Sequence, residues 1–390
     1  MRIAIVTLGC RTNQAESAGM AELLRMRGHE VVPPGGDGVD AVLVNTCTVT
    51  ATADKKSRNA VRRLRGLYPG ALLAVCGCLP QTARLDIEGI GLVGGTADRA
   101  GFVDELERLS LRQGSGHETV SLVKAVPDGG RDDTPLPDAR PLGRSRAYIK
   151  IQDGCDNRCA YCKVPLARGR SRSRPVESVL RAARDAAEGG ASELVLTGIE
   201  ISSFRSQVGF PPDTDGRTGP ATLSWGLAEL TAAVCRAANP VPVRLSSLHP
   251  DRIDGAFTDA LKRERNFRPV FHLSLQSCCD KTLAAMGRRY AVRDIFAAFA
   301  HLRGVWDKPA VTADIIVGFP GETDGDFEET FQNLLSLRPD GLHVFPYSRR
   351  EGTPAAGLPD QNTRAVKTAR AKRLAEAFPK GQSPGSTKSL

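Results

Sequence analysis

Short apolar, β-branched runs alternate with stretches of helical periodicity along most of this chain. That alternation restricts the possible folds more than any other feature of the sequence. Near the N-terminus, Arg2–Leu8, Asp40–Thr46 and Ala71–Cys76 read as strands, with helical patterns over Ala15–Arg27 and Ala53–Leu67. Strands of this kind, joined through helices, predict a parallel sheet covered on both faces. A second series has candidate strands Ala147–Ile151, Glu193–Thr197, Val243–Ser247, Phe271–Leu275, Thr312–Val317 and Gly341–Phe345. Helical stretches lie among them, at Pro175–Glu188, Leu227–Ala238, Arg293–Arg303 and Asp326–Leu337. These β/α repeats predict a curved parallel sheet, a partial barrel rather than the full eight-stranded one. The expected class is α/β.

Residues 112–143 dissolve into Gly, Pro, Asp and Arg, which predicts a linker between an N-terminal domain (1–111) and the second series (144–355). Residues 356–390 read as a basic helix, Asn362–Phe378, followed by a low-complexity tail expected to be disordered. With 41% hydrophobic and 25% charged residues in 390, the composition is that of a globular chain. No apolar run approaches the roughly 18 residues of a membrane helix, and Met1–Val6 enters a strand without a signal-peptide layout. A soluble, cytoplasmic protein with no membrane partner is expected.

Ten cysteines in a reducing compartment point to metal or redox use rather than to disulfides. Cys155, Cys159 and Cys162 form a CxxxCxxC directly after the first strand of the second series. Chance would produce that spacing only roughly 0.006 times per chain. Clustered thiolates ligate zinc or an iron–sulfur cluster. Structural zinc takes four ligands, and no fourth Cys or His lies near Cys162. Three ligands on a cubane leave one iron open to a small molecule. Cys10, Cys47 and Cys78 follow the three N-terminal strands, where a parallel sheet gathers its loops. Cys76 is expected to point away from them, and Cys235, Cys278 and Cys279 read as ordinary core or surface thiols. The histidines are scattered and receive no role.

Lys and Arg exceed Asp and Glu by 53 to 44, and the excess is local. Nine Lys/Arg between Arg144 and Arg174 face only Asp153 and Asp156. Such a run suits a polyanionic partner.

The CxxxCxxC, with Tyr161 as the aromatic before its last cysteine, resembles that of the radical S-adenosylmethionine superfamily. Gln152–Cys155, Arg168–Pro175, Leu196–Ile199, Arg244–Ser247, Leu273–Ser277, Asp314–Thr323 and Phe345–Thr353 are similar to its methylthiotransferase branch. So are Thr7–Gln14, Asn45–Thr50 and Gly77–Gln81 in the N-terminal domain, and the resemblance spans roughly residues 1–375. Within that branch, the enzymes acting on N6-threonylcarbamoyladenosine in tRNA are the most similar.

The resemblance implies two 4Fe-4S clusters and S-adenosyl-L-methionine. Cys155, Cys159 and Cys162 would hold one cluster, whose open iron chelates S-adenosylmethionine. One-electron cleavage would then yield a radical that attacks C2 of the adenosine at position 37, a step belonging to the cofactor. Cys10, Cys47 and Cys78 would hold the second cluster, the source of sulfur. Tyr161, Thr197, Gly198, Ser246, Gln276 and Gly318 would lie near the cofactor, although Gly198 and Gly318 equally suit tight turns. Arg168, Arg170, Arg172 and Arg174 would contact phosphates of the tRNA anticodon loop, with Lys55, Lys56, Arg58, Arg62 and Arg63 as extensions. A flavodoxin or ferredoxin would supply electrons.

Three departures stand out. Cys278 occupies an expected glycine position and His249 an expected glutamate position. Relatives continue into a β-barrel RNA-binding domain, TRAM, whereas no strand-like alternation follows Phe378 here, so that domain is expected to be absent. The alternatives to the threonylcarbamoyl substrate are isopentenyladenosine in tRNA and ribosomal protein S12. A different class, a non-catalytic zinc- and RNA-binding protein, is the remaining rival.

Overall fold

In a computed structural model of the chain, residues 1–111, 119–124, 136–137, 145–209 and 222–378 are described. Most of the expected linker and the whole tail after Phe378 lie outside them. The described contacts divide the chain into two compact units: Met1–Asp156 with Lys163–Arg174 and Arg181–Ile199, and Asn157–Cys162 with Pro175–Leu180 and Glu200–Leu390.

The first unit opens β1 (Arg2–Thr7), α1 (Arg11–Met26), β2 (Glu30–Val32), β3 (Ala41–Thr46), α2 (Ala51–Leu67) and β4 (Leu72–Gly77). It continues α3 (Cys78–Thr82), β5 (Leu92–Gly94), α4 (Arg99–Ser110) and β6 (Val120–Leu122). The strands form a six-stranded parallel sheet in the order β2-β1-β3-β4-β5-β6. Alternation divides its side chains between two cores. Ile3, Ile5, Leu43, Ala74 and Cys76 pack with Met20 and Leu24 of α1 and with Phe102 and Leu106 of α4. Ala4, Val42, Val44, Leu73 and Val75 pack with Val61 and Leu64 of α2 on the other face. Cys76 is thus a core thiol, and β6 is a strand inside the segment expected to be linker.

Next come β7 (Arg146–Lys150), β8 (Gln152–Asp153), α5 (Val164–Arg168), β9 (Arg172–Ser173), α6 (Val176–Glu188) and β10 (Glu193–Thr197). β7 and β10 pair in parallel, and β8 and β9 pair antiparallel. The chain then runs β11 (Ser206–Gly209), β12 (Thr222–Trp225), α7 (Leu227–Ala237), β13 (Val243–Leu245) and β14 (Ser247–Leu248). After these come α8 (Gly255–Leu261), β15 (Val270–Gln276), α9 (Asp280–Ala285), α10 (Val292–Val305), β16 (Ala310–Val317), α11 (Asp324–Leu337), β17 (Gly341–Pro346) and α12 (Arg364–Ala377). β14, β15, β16 and β17 form a parallel sheet in that order. Each of the six strands expected in this series is a strand, with Val243–Ser247 interrupted at Ser246. No helix among the described residues is long and apolar enough to cross a membrane.

Candidate metal and nucleotide sites

β1, β3 and β4 are neighbours, with Thr7 opposite Asn45 and Thr46 opposite Gly77, so their carboxyl ends lie side by side. Cys10, Cys47 and Cys78 therefore lie just beyond one end of the sheet, Cys78 as the first residue of α3. The loops are tied together by side chains. Asn13 Nδ2 donates to Leu8 O and Thr46 O, both at 2.9 Å, and Asn45 Nδ2 reaches Asn13 O at 3.1 Å. Ser57 Oγ accepts from Cys47 N at 3.3 Å and donates to Cys47 O at 3.0 Å. Gly9 has φ +107°, and a Cβ there would stand 2.7 Å from Cys47 Cβ and 3.1 Å from its sulfur. Only glycine lets the Cys10 loop approach Cys47 so closely. Burial pushes the Cys47 thiol up to about 11 and raises that of Cys78, against the opposing charge of Arg168.

Arg168 departs from expectation. It is 1% exposed, and its guanidinium meets buried carboxylates rather than the surface. Nη1 lies 2.7 Å from Glu16 Oε1 and 3.0 Å from Asp153 Oδ1, while Nη2 donates to Asn13 Oδ1 at 2.8 Å. Lys150 bridges the same carboxylates at 3.0 and 2.6 Å, and Arg99 reaches Glu16 at 3.1 Å. Burial would raise both acids, but Arg168 and Lys150 prevail: Asp153 is held at about 2 and Glu16 well below its ordinary value. Three cations thus face two carboxylates, and the Arg168 charge opposes the burial that raises the Cys78 thiol. The surplus positive charge stands where thiolates would need it.

Removing one partner of such a buried network leaves the others uncompensated. Arg168→Met is expected to cost about 3–5 kcal/mol. The measurement is the urea midpoint, which should fall at unchanged m-value; an unshifted midpoint would show that the network carries no stability.

The second cysteine group starts at Gly154, whose φ is +68° and where a Cβ would fall 1.8 Å from Arg170 O. That contact requires glycine before Cys155, whose N–H donates to Gly169 O at 3.0 Å. Cys155 lies in the first unit, and Cys159 and Cys162 lie in the second. In the second unit Ala160 N donates to Met286 O and Ala355 N to Ala160 O, both at 2.8 Å, while Cys162 N donates to Cys159 O at 3.0 Å. Tyr161 packs edge-on to Phe319 with ring centroids 6.5 Å apart, and burial raises its hydroxyl well above the usual value.

Arg288, which the sequence did not single out, organises this region. It donates to Cys159 Sγ at 3.2 Å, Tyr161 Oη at 3.4 Å, Ser274 O at 3.0 Å and Tyr290 Oη at 2.8 Å. His249 Nε2 lies 3.1 Å from its Nη2. Burial and the Arg288 charge push that imidazole down to about 3, so neutral His249 accepts where glutamate was expected.

The expected nucleotide-binding positions fall at strand ends. Thr197 is buried at the end of β10 with Gly198 next to it. Buried Ser246 separates β13 from β14. Gln276 closes β15 with φ +66°, where the register with β16 slips. Gly318 follows β16 with φ +71°, and its N–H donates to Glu322. Of the remaining arginines, the side chain of Arg170 is 63% exposed and pairs with Asp156 at 2.6 Å. Arg172 donates to Arg168 O and Arg170 O, and Arg174 is half-buried.

Residues 149–334 match the radical SAM superfamily, and residues 2–91 match the uncharacterized protein family UPF0004. The chain is 33% identical over 376 residues to the threonylcarbamoyladenosine tRNA methylthiotransferase MtaB of Bacillus subtilis, covering 95% of this chain and 79% of that protein. The protein of the same name from Thermotoga maritima is 32% identical, with 91% and 77% covered. Among solved structures, the radical S-adenosylmethionine methyltransferase TsrM of Kitasatospora setae, with cobalamin and a [4Fe-4S] cluster bound, shares the fold. It aligns at TM-score 0.61 and 16% identity, over 91% of this chain and 76% of that one. The cobalamin-dependent enzyme OxsB aligns at TM-score 0.54 and 12% identity, over 97% and 56%. With both domains in order and this identity over nearly its whole length, the chain belongs to the radical S-adenosylmethionine methylthiotransferases, transferases that use an iron–sulfur cluster and S-adenosylmethionine to methylthiolate tRNA.

Proposed function

We propose that this enzyme methylthiolates C2 of N6-threonylcarbamoyladenosine in the tRNA anticodon loop, using two 4Fe-4S clusters. The observation that carries the substrate is the identity to relatives named for that nucleoside. The arrangement of Cys10, Cys47 and Cys78 at one end of the sheet, beside a surplus of buried positive charge, supports a second cluster there. Three thiolates on each motif suit a cubane with one open iron. Among the described residues, His272, Asp314 and His343 form a group of three whose ligand atoms lie within 4.8 Å of one another.

When bound, the cluster and S-adenosylmethionine supply one-electron cleavage and a radical able to abstract hydrogen from an aromatic carbon. The chain's own residues hold and orient. Cys155, Cys159 and Cys162 ligate the cluster, and Arg288 sets a cation against Cys159. Tyr161, Thr197, Gly198, Ser246, Gln276 and Gly318 line the nucleotide site. Arg170, Arg172 and Arg174 contact tRNA phosphates, while Arg168 serves the fold instead. The catalytic region extends over 144–355 and the sulfur-donating domain over 1–111. A flavodoxin or ferredoxin in the cytoplasm supplies electrons.

Mass spectrometry of tRNA nucleosides from cells with and without the gene tests the substrate. Loss of 2-methylthio-threonylcarbamoyl-adenosine is expected. Loss of the isopentenyl counterpart instead, or no change in any methylthio nucleoside, would overturn it.

A further inference from the structure

We propose that His272, Asp314 and His343 form a binding site for one divalent transition-metal ion, separate from both cysteine groups. The three residues sit on the adjacent strands β15, β16 and β17. The register sets Asp314 directly opposite His343, and His272 opposite Thr312, two residues before Asp314. All three therefore project from one face, the face opposite buried Phe271, Leu273, Val311 and Ala313.

Their ligand atoms lie within 4.8 Å of one another. His272 Nε2 is 2.9 Å and His343 Nδ1 3.4 Å from the same oxygen, Asp314 Oδ1. Metal–nitrogen and metal–oxygen bonds of about 2.0–2.1 Å span edges of roughly 2.9 Å in an octahedral shell and 3.4 Å in a tetrahedral one. The two separations to Asp314 Oδ1 match coordination edges.

Thr312 sets the orientation of His272. Its Oγ1 lies 2.8 Å from His272 Nδ1 and donates to Phe271 O at 3.3 Å. With the hydroxyl donating to the carbonyl, Nδ1 carries the proton and the Nε2 lone pair faces the carboxylate; with the hydroxyl donating to Nδ1, Nε2–H donates to Asp314, and a bound metal ion selects the first tautomer. An outer partner that fixes the tautomer in this way is a regular feature of histidine metal ligands. In the first tautomer two acceptors face each other, and a cation between them satisfies both. Two imidazoles and one carboxylate suit zinc, iron(II) or manganese(II), and three protein ligands leave positions open. The His343 side chain is 56% exposed, so an ion can enter from that side.

The test uses anaerobically reconstituted holoenzyme passed over a chelating resin and titrated with Mn2+, the free ion being followed by its EPR signal. Mn2+ prefers nitrogen and oxygen to thiolate, so the cysteine sites do not compete. The expected result is one Mn2+ bound per chain and displaced by equimolar Zn2+. Asp314→Asn and His343→Ala should each weaken binding at least about tenfold, the scale seen even for outer partners. Iron content and the visible spectrum should remain unchanged. His343→Ala, at an exposed position, keeps the test valid if the Asp314 variant does not fold. An undiminished free Mn2+ signal, or equal binding by His343→Ala, would overturn the site and leave a proton shared among the three side chains. Neither outcome depends on which nucleoside is the substrate.

Discussion

Replacing Cys155, Cys159 and Cys162 together by alanine is expected to abolish S-adenosylmethionine cleavage and to lower reconstituted iron by about 4 atoms per chain. The sulfurs are the only part of the loop this change removes. Its backbone bonds to Met286, Gly169 and Ala355 persist, so the surrounding fold should survive. Arg288 keeps Ser274 O, Tyr290 and His249 as partners, which avoids an orphaned buried cation. Iron analysis and 5′-deoxyadenosine release read the effect. Retained cleavage in the triple variant would sink the assignment of this motif as the cofactor site. A thermal midpoint near that of the parent protein distinguishes lost ligation from lost folding.

The second large effect concerns Cys10, Cys47 and Cys78. Alanine at all three should bring iron from about 8 to about 4 atoms per chain while leaving S-adenosylmethionine cleavage in place. Methylthiolated product should fall to background, because on the proposed assignment the sulfur-donating cluster is lost while the CxxxCxxC motif is untouched. Removing buried thiols costs little packing, and Asn13, Asn45 and Ser57 still bind the loops to one another. An unchanged iron count would show that the strand-end cysteines ligate nothing. A count that falls together with cleavage would show that the two sites are not separable. The pair of variants therefore tests two clusters against one, which total iron in the parent protein alone would not assign to residues.

Much of this fold was legible in the chain itself. Ile3–Ile5, Ala41–Val44 and Leu73–Cys76 are buried on both faces, so they appear as unbroken apolar runs. Glu30–Val32, Leu92–Gly94 and Val120–Leu122 were not legible, since three residues give alternation too little length to register. Helix α4 also escaped notice. Asp98, in a left-handed conformation, caps it at Gly101 N, and Phe102, Val103, Leu106 and Leu109 carry a helical apolar period too short to stand out beside the neighbouring loops.

The candidate sites divide along the same line. Cysteine spacing is a local property, and the CxxxCxxC motif needed no coordinates to be recognised. The position of three further cysteines after consecutive strands was also readable, because parallel sheets align their carboxyl ends. Arg168 shows where such reading stops. An arginine in a basic run has one sequence signature whether it meets phosphate or buried carboxylate. Only the packing of α1 against β7 revealed that Glu16 and Asp153 take its charge. His272, Asp314 and His343 are separated by dozens of residues and share no motif, and strand register alone gathers them. The sequence by itself determined the order of elements, the fold class and the clustered thiols, since periodicity and short spacing are written along the chain. The tertiary structure decided which charges are spent in the interior and which distant side chains meet, since burial and cross-strand register exist only once the strands are paired.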